Sequence, residues 1–407
     1  MDNSKKRIAI LGSTGSIGLN SLSVIEALGS PYQAVAASAH HQWQMLADQA
    51  RRHHLKKVVL TDIAHLQDLQ NALADTDTQV LGGPEHLVDL AADDTCDVLI
   101  VAVVGAAALP AVMAAAQAGK TLAVANKEAL VVAGSLVMPL AQQHGTTIVP
   151  IDSEHSAILQ AMHAGGADEV TRVIITCSGG PFRNADAAEL AQASLADALN
   201  HPTWQMGPKI SIDSATMMNK ALEIVEARWL FSLDPDHIDV LIHPESIIHA
   251  LVEFRDGSVI AQLSNPDMKL PIQYALTYPA RLAGTTTPLN LHQLGSLNFE
   301  PPDLDRFPAI RLGYEVARRG GTDGAVLNGA NEAAVDAFRA GKCTFTQITQ
   351  LTEHCLQKVP WQEKPSLEQL LEADRLARAE IQRCLDNDVK FVHNPRSQKC
   401  PAGKTYS

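Results

Sequence analysis

Apolar positions recur along this chain with two different periods, and the change from one to the other marks its architecture. Up to about residue 150, short β-branched runs alternate with stretches whose apolar residues recur at helical spacing. Strands are predicted over 7–11, 33–37, 57–60, 98–104, 121–125 and 147–151. Such alternation predicts right-handed βαβ units and a parallel sheet covered on both faces. Beyond Pro150 the pattern is mixed: 240–242, 246–254 and 258–263 alternate, and Asp256-Gly257 is a hairpin signal. Residues 284–308, rich in Thr, Pro, Asn and Leu, show no helical period and read as a connecting segment. Four helical stretches follow, at 309–319, 323–340, 345–359 and 366–385. The expected class is α/β. A doubly wound domain spans 1–150, an α+β domain 151–290, a linker 291–308 and a helical-bundle domain 309–390, with a disordered tail at 391–407.

One apolar run tests this reading. Residues 98–116 are 19 positions without a polar side chain, near the length of a membrane span. Gly105 and Pro110 interrupt the run, so a buried strand, a turn and a short Ala-rich helix fit better. The chain has 407 residues, 46% of them hydrophobic and 19% charged, the composition of a globular protein. Its net charge of −13 disfavours nucleic acid or an anionic membrane as a partner, because either would need a basic footprint. Nine of the acids lie between Val58 and Gly119, where no Lys or Arg occurs, and read as a solvated face. Six cysteines without a CxxC pair suggest neither a disulfide scaffold nor a zinc knuckle, and a reducing, cytoplasmic setting is expected. No apolar leader precedes the first strand.

The first chemistry appears where the first strand ends. Ile8-Ala9-Ile10-Leu11 runs into Gly12-Ser13-Thr14-Gly15-Ser16-Ile17-Gly18 and then a helix. Strand, glycine turn and helix together aim backbone N–H groups and a helix N-terminus at a pyrophosphate. The spacing is GxxGxxG rather than the common GxGxxG, so a merely structural turn is the competing account. The second strand ends at His40-His41-Gln42, where an NAD-selective site usually carries an acid. Imidazoles near a ribose 2′-phosphate favour NADPH; an exposed loop without function is the alternative.

Further along, Asp152-Ser153-Glu154-His155-Ser156 follows a strand and opens a helix. Helix capping alone explains an acid or serine here. Two carboxylates separated by one residue can equally converge on a hard divalent cation. A third could come from residues 217–229, where Met218, Leu222, Val225 and Trp229 form an apolar stripe and Asn219, Lys220 and Glu223 share another face. A solvated polar face with a Lys–Glu pair is the simpler account of that helix. Ser178-Gly179-Gly180-Pro181, His201-Pro202-Thr203-Trp204 and Ser211-Ile212-Asp213-Ser214 add hydroxyls and an imidazole on turn-marked loops. With Asn219 and Lys220 these would suit a phosphate. No serine sits in a GxSxG elbow, which disfavours a serine hydrolase.

These segments, with Ala125-Asn126-Lys127-Glu128, Gln205-Met206-Gly207 and His243-Pro244-Glu245-Ser246, resemble the 1-deoxy-D-xylulose 5-phosphate reductoisomerase family over about residues 7–385. The resemblance implies a Rossmann-like NADPH domain, a catalytic domain, a helical domain and assembly as a homodimer. It implies rearrangement of a phosphorylated sugar substrate, then reduction to 2-C-methyl-D-erythritol 4-phosphate. A divalent cation (Mg²⁺, Mn²⁺ or Co²⁺) would be held by Asp152, Glu154 and Glu223. Substrate would be held by Ser178, Ser214, Asn219 and Lys220, with Ser153 and Lys127 near its reacting oxygens, His201 in the same site and Trp204 on a flap. Lys127 and His201 join the three acids as the implied catalytic set, and Ser153, Glu154, His201 and Glu223 are counted with the substrate-binding residues. Thr14, Gly15, Ser16, Ile17, Asn126, Glu128 and Gly207 match cofactor positions, and His40, His41 and Gln42 stand where relatives often carry Gly, a basic residue and Asn. Pro208 likewise stands where many relatives are basic. Two other readings remain open at this point: a simple NADP-linked dehydrogenase, which needs no carboxylate triad, and a catalytically silent NADP-binding sensor.

Overall fold

The computed structural model describes residues 5–387, so the tail expected at 391–407 lies outside the described residues. Seven strands form one sheet: β1 (Lys6–Leu11), β2 (Tyr32–Ala39), β3 (Lys57–Leu60), β4 (Gln79–Gly82), β5 (Val98–Val101), β6 (Thr121–Val124) and β7 (Thr147–Pro150). Their order is β4-β3-β2-β1-β5-β6-β7, and every pairing is parallel. The order reverses between β1 and β5, the place where doubly wound sheets open a crevice at their carboxyl ends. Five of the six predicted strands lie within about two residues of the expected bounds. The sixth, predicted over 98–104, stops at Val101, because Gly105 turns the chain with φ +79° into a short helical segment.

A second sheet has the order β11-β10-β8-β9, built from β8 (Val170–Cys177), β9 (Ile238–Ile242), β10 (Ile248–Phe254) and β11 (Val259–Leu263). β8 and β9 are parallel, and the other two pairings are antiparallel. Arg172 in β8 reaches Asp239 of β9 at 2.6 Å and pairs with Glu253 of β10, so a charge inside the sheet is matched from both sides. Residues 284–308 are mostly irregular as predicted, with one short helix, Leu291–Leu294. The helices Ala309–Arg319, Asp323–Arg339, Phe345–Lys358 and Leu367–Asp386 agree with expectation to within a residue or so.

The chain divides into two compact units. Among the described residues, one comprises 5–178, Thr203–Gly207 and Glu226–Pro301; the other comprises Gly179–Pro202, Pro208–Val225 and 302–387. In the first unit, Ile272, Ala275 and Leu276 of helix Lys269–Thr277 share a core with Ile8, Ile10 and Ile100 of the parallel sheet. A segment far along the chain thus completes the core of the first sheet. In the second unit, helix Asp323–Arg339 packs against both Phe345–Lys358 and Leu367–Asp386. Among the described residues, no helix is long and apolar enough to cross a membrane.

Candidate active site

The glycine loop is shaped by contacts that leave no room for side chains. Gly12 has φ +81°, and a Cβ there would lie 2.8 Å from the Ala102 carbonyl oxygen at the end of β5. At Gly18 a Cβ would lie 2.4 Å from the Gly12 carbonyl oxygen and 2.4 Å from the Ser13 Cα. Helix Ser16–Leu28 therefore lies directly against the loop. Gly15 differs: its Cβ would meet only the Gly12 carbonyl oxygen, at an ordinary 3.6 Å, and the residue is exposed. No side chain caps this helix and its first turn carries no acid, so its N-terminus offers N–H groups and positive potential to an anion. Ser13 is tied down behind the loop by Gln49, its Oγ donating to Oε1 at 2.6 Å. Thr14 and Ile17 are half-buried, and Ser16 is exposed.

His40, His41 and Gln42 follow β2 and are all exposed. The His40 ring bonds Thr61 Oγ1 at 2.9 Å, and the two imidazoles lie edge to face at 5.4 Å. Gly207 is exposed as well. Asn126, at the end of β6, is buried and its amide is committed to the protein. It donates to the carbonyls of Val103 at 2.6 Å and Gly105 at 2.9 Å and to Glu128, while its oxygen accepts the Ala129 N–H. It thereby holds the loop after β5 against the loop after β6.

Lys127 begins the next helix, and Asp152 follows β7. Both stand at the carboxyl edge of the sheet that carries the glycine loop. Lys127 Nζ lies 2.5 Å from Asp152 Oδ2, and the two side chains are 9% and 11% exposed, so this ion pair is shielded from solvent. Asp152 also caps helix Ser153–Met162, accepting the Glu154 N–H at 3.3 Å. Capping and charge pairing thus coexist in one residue. Ser153 Oγ donates to Glu154 Oε2. Behind Asp152, buried His155 places Nδ1 3.5 Å from Asp152 and 3.3 Å from Glu226. The sequence reading assigned no role to His155 or Glu226. The signal available was Glu226 three positions after Glu223, at the margin of the polar face of the same helix. Ser178, at the end of β8, is buried, and the Trp204 indole approaches His249 at 6.2 Å between ring centroids.

In the second unit, Asn219, Lys220 and Glu223 share a face of helix Met218–Phe231, and that face is not solvated. Glu223 is 0% exposed and Lys220 3%. Asn219 Nδ2 reaches Glu223 Oε1 at 2.5 Å, and Lys220 Nζ reaches Oε2 at 2.5 Å. Both oxygens of a buried carboxylate are held by donors on its own helix, which fixes its orientation. The ordinary account, a solvated Lys–Glu pair, fails on burial. Burial, and then the charge of Lys220, lower the His201 imidazole from its ordinary value. Ser214 is half-buried. Close by, Asp213 is held by Lys209 at 2.8 Å and by Asn331 at 2.8 Å.

Three family models cover most of the chain: "1-deoxy-D-xylulose 5-phosphate reductoisomerase" over 8–134, and two of its C-terminal domain models over 148–231 and 263–380. The chain belongs to the 1-deoxy-D-xylulose 5-phosphate reductoisomerase family. A reductoisomerase of Methylobacillus flagellatus is 47% identical over 92% of this chain and 96% of its own. One from Moorella thermoacetica is 48% identical over 92% and 96%. The solved reductoisomerase of Zymomonas mobilis in complex with NADPH is 41% identical with a TM-score of 0.89, over 94% of this chain and all of that one. A reductoisomerase structure containing NADPH, fosmidomycin and magnesium is similar to the same degree, 41% with TM-score 0.89, covering 94% and 98%.

Proposed function

We propose that this protein rearranges 1-deoxy-D-xylulose 5-phosphate and reduces the product to 2-C-methyl-D-erythritol 4-phosphate, using NADPH and a divalent cation, in non-mevalonate isoprenoid precursor synthesis. The observation that carries this reading is the common edge. The Asp152–Glu154 helix start and Lys127 stand on the same carboxyl edge as a glycine loop shaped for pyrophosphate. A simple dehydrogenase needs no such carboxylates beside its cofactor.

The residues fit both groups. The loop cradle, closed to any Cβ at Gly12 and Gly18 and uncapped at the helix start, suits a dinucleotide. Carboxylates of Asp152 and Glu154, separated by Ser153, are the oxygen donors that a hard cation such as Mg²⁺, Mn²⁺ or Co²⁺ takes. In this reading Glu223 supplies the third carboxylate. Held by Asp152, Glu154 and Glu223, a divalent cation would supply Lewis-acid polarisation of the substrate carbonyl. NADPH, held at the glycine loop, would supply the hydride for the reduction. The chain's own side chains do the rest. Lys127, fixed by Asp152, places an ammonium beside the reacting oxygens and, with Ser153, orients them. Ser178, Ser214, Asn219 and Lys220 hold the phosphate end. His201, whose uncharged form is favoured by burial, hydrogen-bonds substrate. Trp204 closes over the substrate and excludes water. Cofactor contacts fall to Thr14, Gly15, Ser16, Ile17, His40, His41, Gln42 and Gly207, with Asn126 and Glu128 shaping the floor.

The working arrangement is a cofactor domain over 1–150, a catalytic domain over 151–290, a linker over 291–308 and a helical domain over 309–390. A cytoplasmic homodimer without nucleic-acid or membrane partners is part of the proposal, supported by the net charge of −13 and by β11. That edge strand carries Val259, Ile260 and Leu263 at 47%, 37% and 36% exposure, an apolar edge suited to a second copy. The test is Glu223→Gln: turnover falls by ~10²–10³-fold, the scale of losing one charge-stabilising group, while NADPH affinity is unchanged. Full activity in that variant would overturn the assignment.

A further inference from the structure

Helices Phe345–Lys358 and Leu367–Asp386 bring together three side chains that the reaction does not use. His354 Nε2 lies 2.8 Å from Glu380 Oε1, and Cys384 Sγ lies 3.7 Å from the same oxygen. One ligating atom from each residue lies within 4.8 Å of the other two. Glu380 and Cys384 are four apart on one helix face, and His354 comes from the facing helix. The geometry is therefore set by helix packing rather than by a loop.

The three groups differ in chemistry. Arg383 already satisfies Glu380, donating through Nε to Oε2 at 2.7 Å and through Nη2 to Oε1 at 2.6 Å. A carboxylate hydrogen-bonded to a histidine needs no thiol, yet Cys384, 2% exposed, directs its sulfur at the shared oxygen. Cys355, the neighbouring thiol, is turned away and donates to the Ala377 carbonyl at 3.6 Å. Imidazole, carboxylate and thiolate make the mixed N/O/S set that zinc accepts in tetrahedral geometry, whereas magnesium prefers oxygen alone. His354 also lines a cavity of 560 Å³ in the same unit, which gives an ion a route in and a water for the fourth position.

We propose that His354, Glu380 and Cys384 form a second metal site, distinct from the magnesium-type carboxylate site, that takes Zn²⁺. On binding, metal–sulfur, metal–nitrogen and metal–oxygen bonds form, and the Cys384 thiol proton leaves to solvent. The imidazole keeps a proton on Nδ1. His354 Nε2 and Glu380 Oε1, now 2.8 Å apart, separate by a few tenths of an ångström to admit the ion. Arg383 Nε stays on Oε2 and orients the carboxylate, as outer partners of metal ligands commonly do. The ion joins the two helices.

The test uses the full chain with saturating Mg²⁺, so that hard-cation sites are filled. Titration with Co²⁺, a spectroscopic stand-in for zinc, should give one equivalent with a thiolate-to-cobalt charge-transfer band, and Zn²⁺ should displace it. Cys384→Ser should abolish the band, weaken Zn²⁺ binding at least tenfold against a competing chelator, and leave Mg²⁺-dependent turnover unchanged. Cys343→Ser should alter none of these. If Cys384→Ser fails to fold, His354→Gln carries the same tenfold expectation from a partly exposed position. A folded wild-type protein without the band, or a band that survives Cys384→Ser, would overturn the proposal.

Discussion

Two glycines in the phosphate loop make opposite predictions, because one is required by the protein and the other only by its ligand. Gly18→Ala would place a Cβ 2.4 Å from the Gly12 carbonyl oxygen and 2.4 Å from the Ser13 Cα. Both neighbours are backbone, so the loop and helix Ser16–Leu28 must separate by nearly an ångström. Overpacking of this kind costs ~1–3 kcal/mol. For a unit of this size, each kcal/mol lowers the melting temperature by ~2–4 °C, so a fall of several degrees is expected. The displaced loop should also bind NADPH at least ~10-fold more weakly, since 1.4 kcal/mol is a factor of ten. Gly15→Ala meets only one atom, at 3.6 Å, in an ordinary backbone conformation, so the fold should be unaffected. Its methyl nevertheless stands where the pyrophosphate approaches the helix start, and NADPH affinity should drop by a similar factor. Thermal melts and NADPH fluorescence titrations on both variants separate the two effects. Wild-type NADPH affinity in Gly15→Ala would refute the placement of the pyrophosphate. An unchanged melting temperature in Gly18→Ala would refute the steric argument.

Other perturbations test separate parts of the account. Glu226→Gln keeps the side-chain volume but removes the charge behind His155 and Asp152; the Mg²⁺ concentration for half-activity should rise ~10–100-fold with NADPH binding unchanged, and an unaltered metal dependence would remove Glu226 from the site. Burial, partly offset by Arg319, raises the Asp323 carboxyl from 3.8 to about 6. The unfolded chain therefore releases this proton first, and stability falls as pH rises from about 4 to 6. Asp323→Asn should remove that slope and stabilise the protein above pH 6 by up to ~3 kcal/mol, at 1.36 kcal/mol per pH unit; denaturant melts across this range would show otherwise if the slope persists. In the proposed homodimer, Ile260→Lys on β11 should shift the mass in light scattering from dimer to monomer, and an unchanged dimer mass would place the interface elsewhere.

What could be read in advance followed from periodicity. Strands β1, β2, β3, β5, β6 and β7 carry unbroken apolar runs because both sheet faces are covered, and such runs stand out. β4 went unseen because it is a partly exposed edge strand whose run ends in Gly82-Gly83-Pro84. β8 was obscured by Arg172, whose partners Asp239 and Glu253 lie 67 and 81 positions away. Site residues separate along the same line. The glycine spacing and the Asp152–Glu154 pair were legible as local patterns with more than one meaning. Burial of Glu223, and the pairing of Lys127 with Asp152 across 25 positions, depend on tertiary packing that no local window contains. His155 and Glu226 were missed for that reason, each resembling an ordinary helix residue until the other is placed beside it.

The central claim is that carboxylate-held metal and NADPH serve one reaction in which a carbon skeleton rearranges. The direct measurement mixes the protein with NADPH and 1-deoxy-D-xylulose 5-phosphate, with and without Mn²⁺, and follows both NADPH oxidation and product structure by carbon NMR. The account predicts oxidation only with metal, one NADPH per molecule of branched 2-C-methyl-D-erythritol 4-phosphate. Metal-independent oxidation, or a reduced product with the unbranched skeleton, would contradict it.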